Sequence, residues 1–151
     1  GWALDDRTYD GCRIPGVPAD GRGELITLTI GGNDLLFQAE RYLREGLADF
    51  AALHADLLGR IRGANPQATL IVGDVYAPAM PLGSAERSRL QEANAIIAAN
   101  CDRVGARLAP IHETFRGHEA SYLCLGIEPT LEGARRIAEL FAAAWRAGCA
   151  A

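Results

Sequence analysis

The sequence predicts an α/β fold in which helices cover both faces of a parallel sheet, forming a three-layer α/β/α sandwich. Three short apolar runs, at residues 24–30, 68–75 and 107–111, have the character of strands. Long segments with helical spacing of apolar residues separate them, and neighbouring parallel strands require crossovers of this length. Because a parallel sheet is buried on both faces, we expect helices on each side.

The first predicted strand ends in a glycine-rich loop. In residues 24–36, ELITLTIGGNDLL, apolar Ile26, Leu28 and Ile30 alternate with polar residues before the Gly-Gly-Asn-Asp of residues 31–34. Such alternation is typical of a strand, and the turn residues mark its end. Ligands of open parallel sheets bind at this edge, because backbone N–H groups and helix N-termini point into the crevice. An ordinary strand-to-helix turn would use the same residue types.

The next segments alternate between helix and strand. A long amphipathic helix is predicted after the loop, with an apolar stripe from Leu43 to Ile61. His54 lies on or beside this stripe, which indicates a structural residue rather than a ligand. Residues 68–75 form the compact apolar run of a buried strand. The proline-rich residues 76–83 follow at the same sheet edge as the glycine-rich loop.

The remaining helices have recognisable starting residues. Ser84 is a suitable N-cap for a helix whose apolar stripe includes Cys101. After the third strand, a last helix is expected from Leu131 to about Ala147, with Thr130 as its N-cap. We find no repeat and no linker, so residues 1–151 are predicted to form a single domain.

Composition excludes some classes of function. The formal net charge of -4 offers nucleic acid no basic surface, and no apolar run is long enough to span a membrane. The chain begins with glycine, so we expect a processed or trimmed chain, in which any targeting segment upstream would not be visible. Its four cysteines lack zinc-site spacing and suit either two disulfides in a secreted protein or free thiols in the cytoplasm. The compartment therefore stays open.

The glycine-rich loop resembles a conserved block of a known enzyme family. LTIGGNDL is similar to the third block of the SGNH, or GDSL, hydrolases, whose Gly-x-Asn-Asp supplies the oxyanion-hole asparagine. The matching residues are Gly31, Asn33 and Asp34. The resemblance implies a flavodoxin-like α/β/α sandwich, hydrolysis of an ester, and no metal or organic cofactor.

A second likeness lies before the first strand. Residues 13–21, RIPGVPADG, are similar to the family's second block, which would make the Gly16 N–H the second oxyanion donor. A plain proline-glycine turn after a short strand at residues 8–14 is the other interpretation.

The family's nucleophile block is missing. No Gly-Asp-Ser occurs, and the nearest likeness, residues 5–8, has Arg7 at the serine position. Between Asp6 and Glu24 there is no room for the usual crossover helix and second strand. Either the N-terminal segment with the nucleophile lies outside this chain, or the chain is a shortened relative without that serine.

The family's last block, Asp-x-x-His-Pro, is also altered. Leu125 stands at the aspartate position and Glu128 at the histidine position. A glutamate with the ordinary pKa of about 4.3 is a weak base at neutral pH. Four substitutes are open: His118 in the preceding loop as base, His112 after the third strand as base, Glu128 acting on water, or Cys12 as nucleophile with a histidine.

These observations predict an ester hydrolase whose partner is a small-molecule ester, with Asn33 Nδ2 and the Gly16 N–H holding the oxyanion. A non-catalytic binding or accessory domain is the competing hypothesis, because the nucleophile and base of the resemblance are absent. A phosphate or nucleotide binder using Gly31, Gly32 and Asn33 is a third, although the loop lacks the lysine of a P-loop.

Overall fold

The computed structural model describes residue 4 and residues 24–149 of the chain. The described strands are β1 (Leu25–Thr29), β2 (Thr69–Gly73), β3 (Arg107–Ala109), β4 (Leu123–Cys124) and β5 (Glu128–Pro129). The helices are α1 (Gly32–Phe37), α2 (Ala39–Glu45), α3 (Ala48–Ala64), α4 (Ser84–Arg103), α5 (Ile111–Phe115), α6 (Glu119–Tyr122) and α7 (Leu131–Cys149). The short strand predicted at residues 8–14, Gly16 and Cys12 lie outside the described residues.

Three parallel strands form the main described sheet, with β2 between β1 and β3. Leu25 pairs with Thr69 and Thr29 with Gly73, while Gly73 also pairs with Ala109. All three strands therefore end at one edge of the sheet. The predicted parallel sheet is confirmed, and a small antiparallel pair, β4 and β5, stands apart from it.

Helices lie on both faces of this sheet. Leu70 and Val72 of β2 belong to the core formed with the buried faces of α3 and α4. The intervening residues face the other side, because side chains alternate along a strand. A Cβ added to Gly73 would approach Ile111 of α5, and it would lie 3.4 Å from the Phe141 ring of α7. The three-layer α/β/α sandwich is thus confirmed.

Three local predictions need correction. The long helix predicted after the first strand is divided into α1, α2 and α3. Gly46 ends α2 with a φ of 81°, a conformation that glycine adopts without strain. Ser84 is the first residue of α4 rather than its N-cap, and the Gly83 N–H donates to Glu86 Oε2 at 2.6 Å. The third strand ends at Ala109, because Pro110 leads directly into α5.

His54 is a structural residue, as its position on the apolar stripe predicted. The imidazole is buried, stacks on Phe50 with 6.1 Å between ring centroids, and has Nδ1 3.3 Å from Asn100 Nδ2. Burial lowers the pKa of His54 to about 4. Cys101 is also buried, and desolvation raises its thiol pKa to about 11. Among the helices of residues 24–149, none has the length and apolar character needed to cross a bilayer.

Candidate functional site

A cavity of about 880 Å³ opens at the carboxyl edge of the main sheet. Its walls come from the glycine-rich loop with α1, from the loop between β2 and α4, and from residues 127–129 around β5. This volume suits a small-molecule ligand, and the walls are mainly apolar. Seven lining residues carry an amide, phenol, carboxyl or guanidinium group: Asn33, Tyr42, Asp74, Tyr76, Glu86, Arg89 and Glu128.

The glycine-rich loop brings Asn33 to the cavity wall. Gly31 has a φ of 97°, and a Cβ at this position would lie 2.9 Å from the Phe50 ring. Only glycine satisfies both the left-handed backbone and the close approach of the ring. Helix α1 starts at the next residue, so Asn33 lies in its first turn, half-buried and lining the cavity.

Asp34, the residue after Asn33, stabilises the glycine-rich loop through buried hydrogen bonds. Its side chain is fully buried, and its two oxygens accept hydrogen bonds from the Leu4 N–H at 3.1 and 2.9 Å. The buried Leu4 side chain lies beside Gly31. Asp34 therefore joins residue 4 to the loop that carries Asn33, and it does not line the cavity.

The second wall is held by polar contacts around the end of β2. Asp74 accepts a hydrogen bond from the His112 N–H at 2.7 Å and so caps the start of α5. Burial raises the pKa of Asp74, and the backbone N–H groups of His112 and Ile111 oppose that rise. One residue later, the Asn94 amide accepts from the Val75 N–H at 2.9 Å and donates to the Val75 carbonyl at 2.8 Å.

Tyr76 connects the second wall to the third. Its hydroxyl donates to the Ile127 carbonyl at 2.9 Å, and the Ala79 N–H donates to the Gly126 carbonyl at 2.7 Å. Burial, followed by the negative charge of Glu128, raises the pKa of Tyr76. The Glu128 carboxylate therefore lies close enough to Tyr76 to influence its ionisation. Glu128 itself is solvent-exposed at the cavity wall.

Arg89 of α4 is the one cationic side chain among the described residues that line the cavity. Its guanidinium pairs with Glu92 and donates to the Leu43 carbonyl at 3.4 Å. Its Nε is buried and has no hydrogen-bond partner among the described atoms. The guanidinium is therefore directed by protein contacts toward α2 and the helix surface, which limits the positive charge presented to the cavity.

The structure brings together two of the four site residues favoured by the sequence. Asn33 and Glu128 line the same cavity. His118 does not line it: this exposed residue stacks on Tyr122 with 5.1 Å between ring centroids. His112 is likewise absent from the lining, and its Nδ1 is buried without a partner among the described atoms. Gly16, the predicted second oxyanion donor, lies outside the described residues.

Sequence reasoning missed five polar residues of the cavity: Tyr42, Asp74, Tyr76, Glu86 and Arg89. Asp74 had a usable signal, because it directly follows an apolar strand at the edge where ligands collect. Tyr76 belongs to the proline-rich loop that was assigned to the correct edge. Arg89 lies inside a helix, and only the tertiary fold places this residue at the cavity wall.

Within residue 4 and residues 24–149, no serine, cysteine or histidine lines the cavity. In the same part of the chain, no group of three or more His, Cys, Asp and Glu side chains is close enough to hold a metal ion. The polar chemistry of the described walls thus consists of amide, carboxyl, phenol, threonine hydroxyl and guanidinium groups.

Solved structures with the same fold include several enzymes. An α/β hydrolase, LAE5, from the metagenome of Lake Arreo, Spain, is 21% identical with a TM-score of 0.64, over 80% of this chain and 59% of that one. The acetylxylan esterase Axe2 from Geobacillus stearothermophilus is 13% identical with a TM-score of 0.62, over 78% and 57%. Phospholipase A1 from Streptomyces albidoflavus NA297 is 16% identical with a TM-score of 0.63, over 94% and 76%.

These identities show a shared fold, and this chain spans less than two thirds of the length of the LAE5 and Axe2 chains. A sequence comparison with curated proteins finds no match. The family model of the GDSL-like Lipase/Acylhydrolase family matches residues 5–136, which is most of the chain. The chain therefore belongs to the GDSL-like lipase/acylhydrolase family.

Proposed function

We propose that this chain is an ester hydrolase that binds a small acyl ester in the 880 Å³ cavity. The observation that carries the proposal is that one cavity is lined by both the Asn33 amide and the Glu128 carboxylate. An amide can donate to the oxygen of the ester carbonyl, and a carboxylate can accept a proton from the attacking group. Family membership and the esterase and lipase names of the structural neighbours support an ester as the substrate.

In the proposed reaction, a water oxygen attacks the carbonyl carbon while Glu128 accepts one proton from that water. Asn33 Nδ2 donates a hydrogen bond to the oxyanion of the tetrahedral intermediate. The intermediate then breaks its bond to the alcohol oxygen, which receives the proton from Glu128. Ester and water thus become acid and alcohol, and the carboxylate is regenerated.

Glu128 is the preferred base because it lines the cavity, whereas His118 and His112 do not. A base must come within hydrogen-bond reach of the proton that it removes. The Gly16 N–H remains the proposed second oxyanion donor, on the basis of the likeness of residues 13–21 to the family's second block.

A second candidate function is the binding of acyl esters without turnover. One observation favours it: the described cavity walls carry no serine, cysteine or histidine, which are the usual nucleophiles and bases of acyl transfer. In that case the cavity would hold the ester or its acid, and Glu128 would have no chemical role.

Hydrolysis of p-nitrophenyl acetate by the wild-type chain and by Glu128→Gln tests the choice between these functions. A hydrolase that uses Glu128 as its base should lose roughly 100-fold or more in kcat on this substitution. Glu132→Gln is the matched control, because Glu132 is exposed on α7 and does not line the cavity. It should leave kcat unchanged.

Thermal unfolding in the presence of p-nitrophenyl acetate or butyrate separates the remaining outcomes. A raised Tm without turnover would establish the binding function and refute hydrolysis. Turnover that is equal in wild type and Glu128→Gln would remove Glu128 from the mechanism. Neither turnover nor a raised Tm would refute both functions.

A further inference from the structure

The place of the Glu128 carboxylate depends on its backbone. The side chain is exposed at the cavity wall and makes no hydrogen bond or ion pair with another described residue. Its strand, β5, is two residues long and pairs with β4, where Cys124 lies opposite Glu128. We call residues 123–129, which comprise both strands and the turn between them, the β4–β5 hairpin. Because a two-stranded hairpin is only marginally stable by itself, its contacts with the rest of the fold decide where Glu128 lies.

Two hydrogen bonds join the β4–β5 hairpin to the loop that follows β2. The Tyr76 hydroxyl donates to the Ile127 carbonyl at 2.9 Å, and the Ala79 N–H donates to the Gly126 carbonyl at 2.7 Å. The bond from Tyr76 ends at the residue directly before Glu128. The Tyr76 side chain therefore ties the strand that carries Glu128 to the carboxyl edge of the main sheet.

The turn of the hairpin needs such contacts. Leu125 has a φ of 52° and Gly126 a φ of 85°. Glycine adopts this conformation without strain, whereas for leucine it is unfavourable. A strained backbone keeps its conformation only while the surrounding structure holds it. Loss of the bond to Ile127, which directly follows this turn, should therefore let the turn and Glu128 move.

Tyr76 is well suited to hold another group in place. Its ring packs on the buried Phe115 ring with 4.9 Å between centroids, and both belong to one apolar cluster. A phenol has a single proton to donate, and the Ile127 carbonyl receives it. Burial, followed by the charge of Glu128, raises the pKa of Tyr76, so the hydroxyl keeps this proton at neutral pH. Tyr76 thus acts as a fixed donor to the backbone rather than as a donor to a ligand.

We propose that Tyr76 is a positioning residue, which holds Glu128 within reach of the attacking water through its hydrogen bond to the Ile127 carbonyl. This inference rests on the proposed function, in which Glu128 is the base. A base that is displaced by about 1 Å from its proton loses much of its effect on the rate. Tyr76 therefore affects the reaction through Glu128, without contact with the reacting atoms.

The kinetics of Tyr76→Phe on p-nitrophenyl acetate test this role, because the substitution removes the hydroxyl and keeps the ring. We expect kcat to fall about 10- to 100-fold with little change in KM, since the positioned base acts in the transition state. Tyr122→Phe is the matched control. The Tyr122 ring also packs on Phe115, with 5.0 Å between centroids, but it does not line the cavity. This control should have the kcat of the wild type.

The double variant Tyr76→Phe/Glu128→Gln shows whether Tyr76 acts through Glu128. Once the base is removed, the loss of the Tyr76 hydroxyl should leave the residual kcat of Glu128→Gln unchanged. An equal fold-loss in the presence and absence of Glu128 would overturn the proposal. So would a wild-type kcat in Tyr76→Phe, or the same loss of kcat in Tyr122→Phe.

Hydrogen exchange of the backbone amides tests the positioning without any need for turnover. In Tyr76→Phe the amides of residues 125–128 should exchange faster than in the wild type and in Tyr122→Phe. Exchange at the wild-type rate would overturn the positioning, whatever the activity. Faster exchange in a chain whose wild type does not hydrolyse p-nitrophenyl acetate would refute the proposed hydrolysis and support the hold of Tyr76 on the hairpin.

Discussion

Acid should destabilise the fold through His54. The pKa of this buried imidazole is lowered to about 4 from its ordinary 6.5, so the unfolded chain binds more protons between these two values. His54 therefore contributes its full stabilisation above pH 6.5 and loses it as the pH falls to 4. A difference of about 2.5 pKa units corresponds to roughly 3 kcal/mol, of which about 2.5 kcal/mol should be lost between pH 7 and pH 4.5.

Urea unfolding of the wild type and of His54→Gln at pH 7 and pH 4.5 measures this contribution. Glutamine does not titrate, and its amide retains a polar group near Asn100. The carboxyl groups of the two proteins are the same, so the difference between the pH dependences of their free energies of unfolding gives the contribution of His54. The wild type should lose about 2.5 kcal/mol more than the variant on acidification. Equal losses in the two proteins would refute a depressed pKa at His54.

Two glycines should be intolerant of a methyl group. Gly31→Ala places a Cβ 2.9 Å from the Phe50 ring on a left-handed backbone, so thermal unfolding should report a loss of about 2–3 kcal/mol. A loss below about 0.5 kcal/mol would show that the loop relaxes freely. Gly133→Ala drives a Cβ into the Tyr122 carbonyl oxygen and should cost more than about 2 kcal/mol. Gly59→Ala in α3 is the control, because a Cβ at Gly59 meets no atom within 4 Å, and it should raise the free energy of unfolding by about 0.5–1 kcal/mol. Equal effects of Gly133→Ala and Gly59→Ala would contradict the close contact between Gly133 and the Tyr122 carbonyl.

The sequence predicts the sheet well because its signals are local. The alternation of Ile26 and Leu28 and the compact run at residues 68–75 identify β1 and β2 without tertiary information. The division of the following helix was missed because the hydrophobic stripe continues across the breaks. Gly46 ends α2 through its backbone conformation, to which a periodicity of apolar residues is insensitive.

The position of the cavity was predicted more completely than the residues that line it. Asn33 was accessible to sequence reasoning because its motif and its location after β1 agree. Glu128 followed from its place before the last helix, and Thr130 caps that helix by accepting from the Gly133 N–H at 3.1 Å. Arg89 reaches the cavity only through the packing of α4, and the approach of Gly126 to Met80 depends on contacts between two loops distant in sequence. Such contacts leave no local pattern.

The steady-state kinetics of Asn33→Ala on p-nitrophenyl butyrate test most directly the claim that Asn33 is an oxyanion donor. The control is Gln67→Ala, which removes an exposed amide before β2, at the opposite edge of the sheet. An interaction made in the transition state should reduce kcat of Asn33→Ala about 100- to 1000-fold with little change in KM. Both variants should unfold near the wild-type temperature. A kcat of Asn33→Ala equal to that of the wild type and of Gln67→Ala would contradict the account.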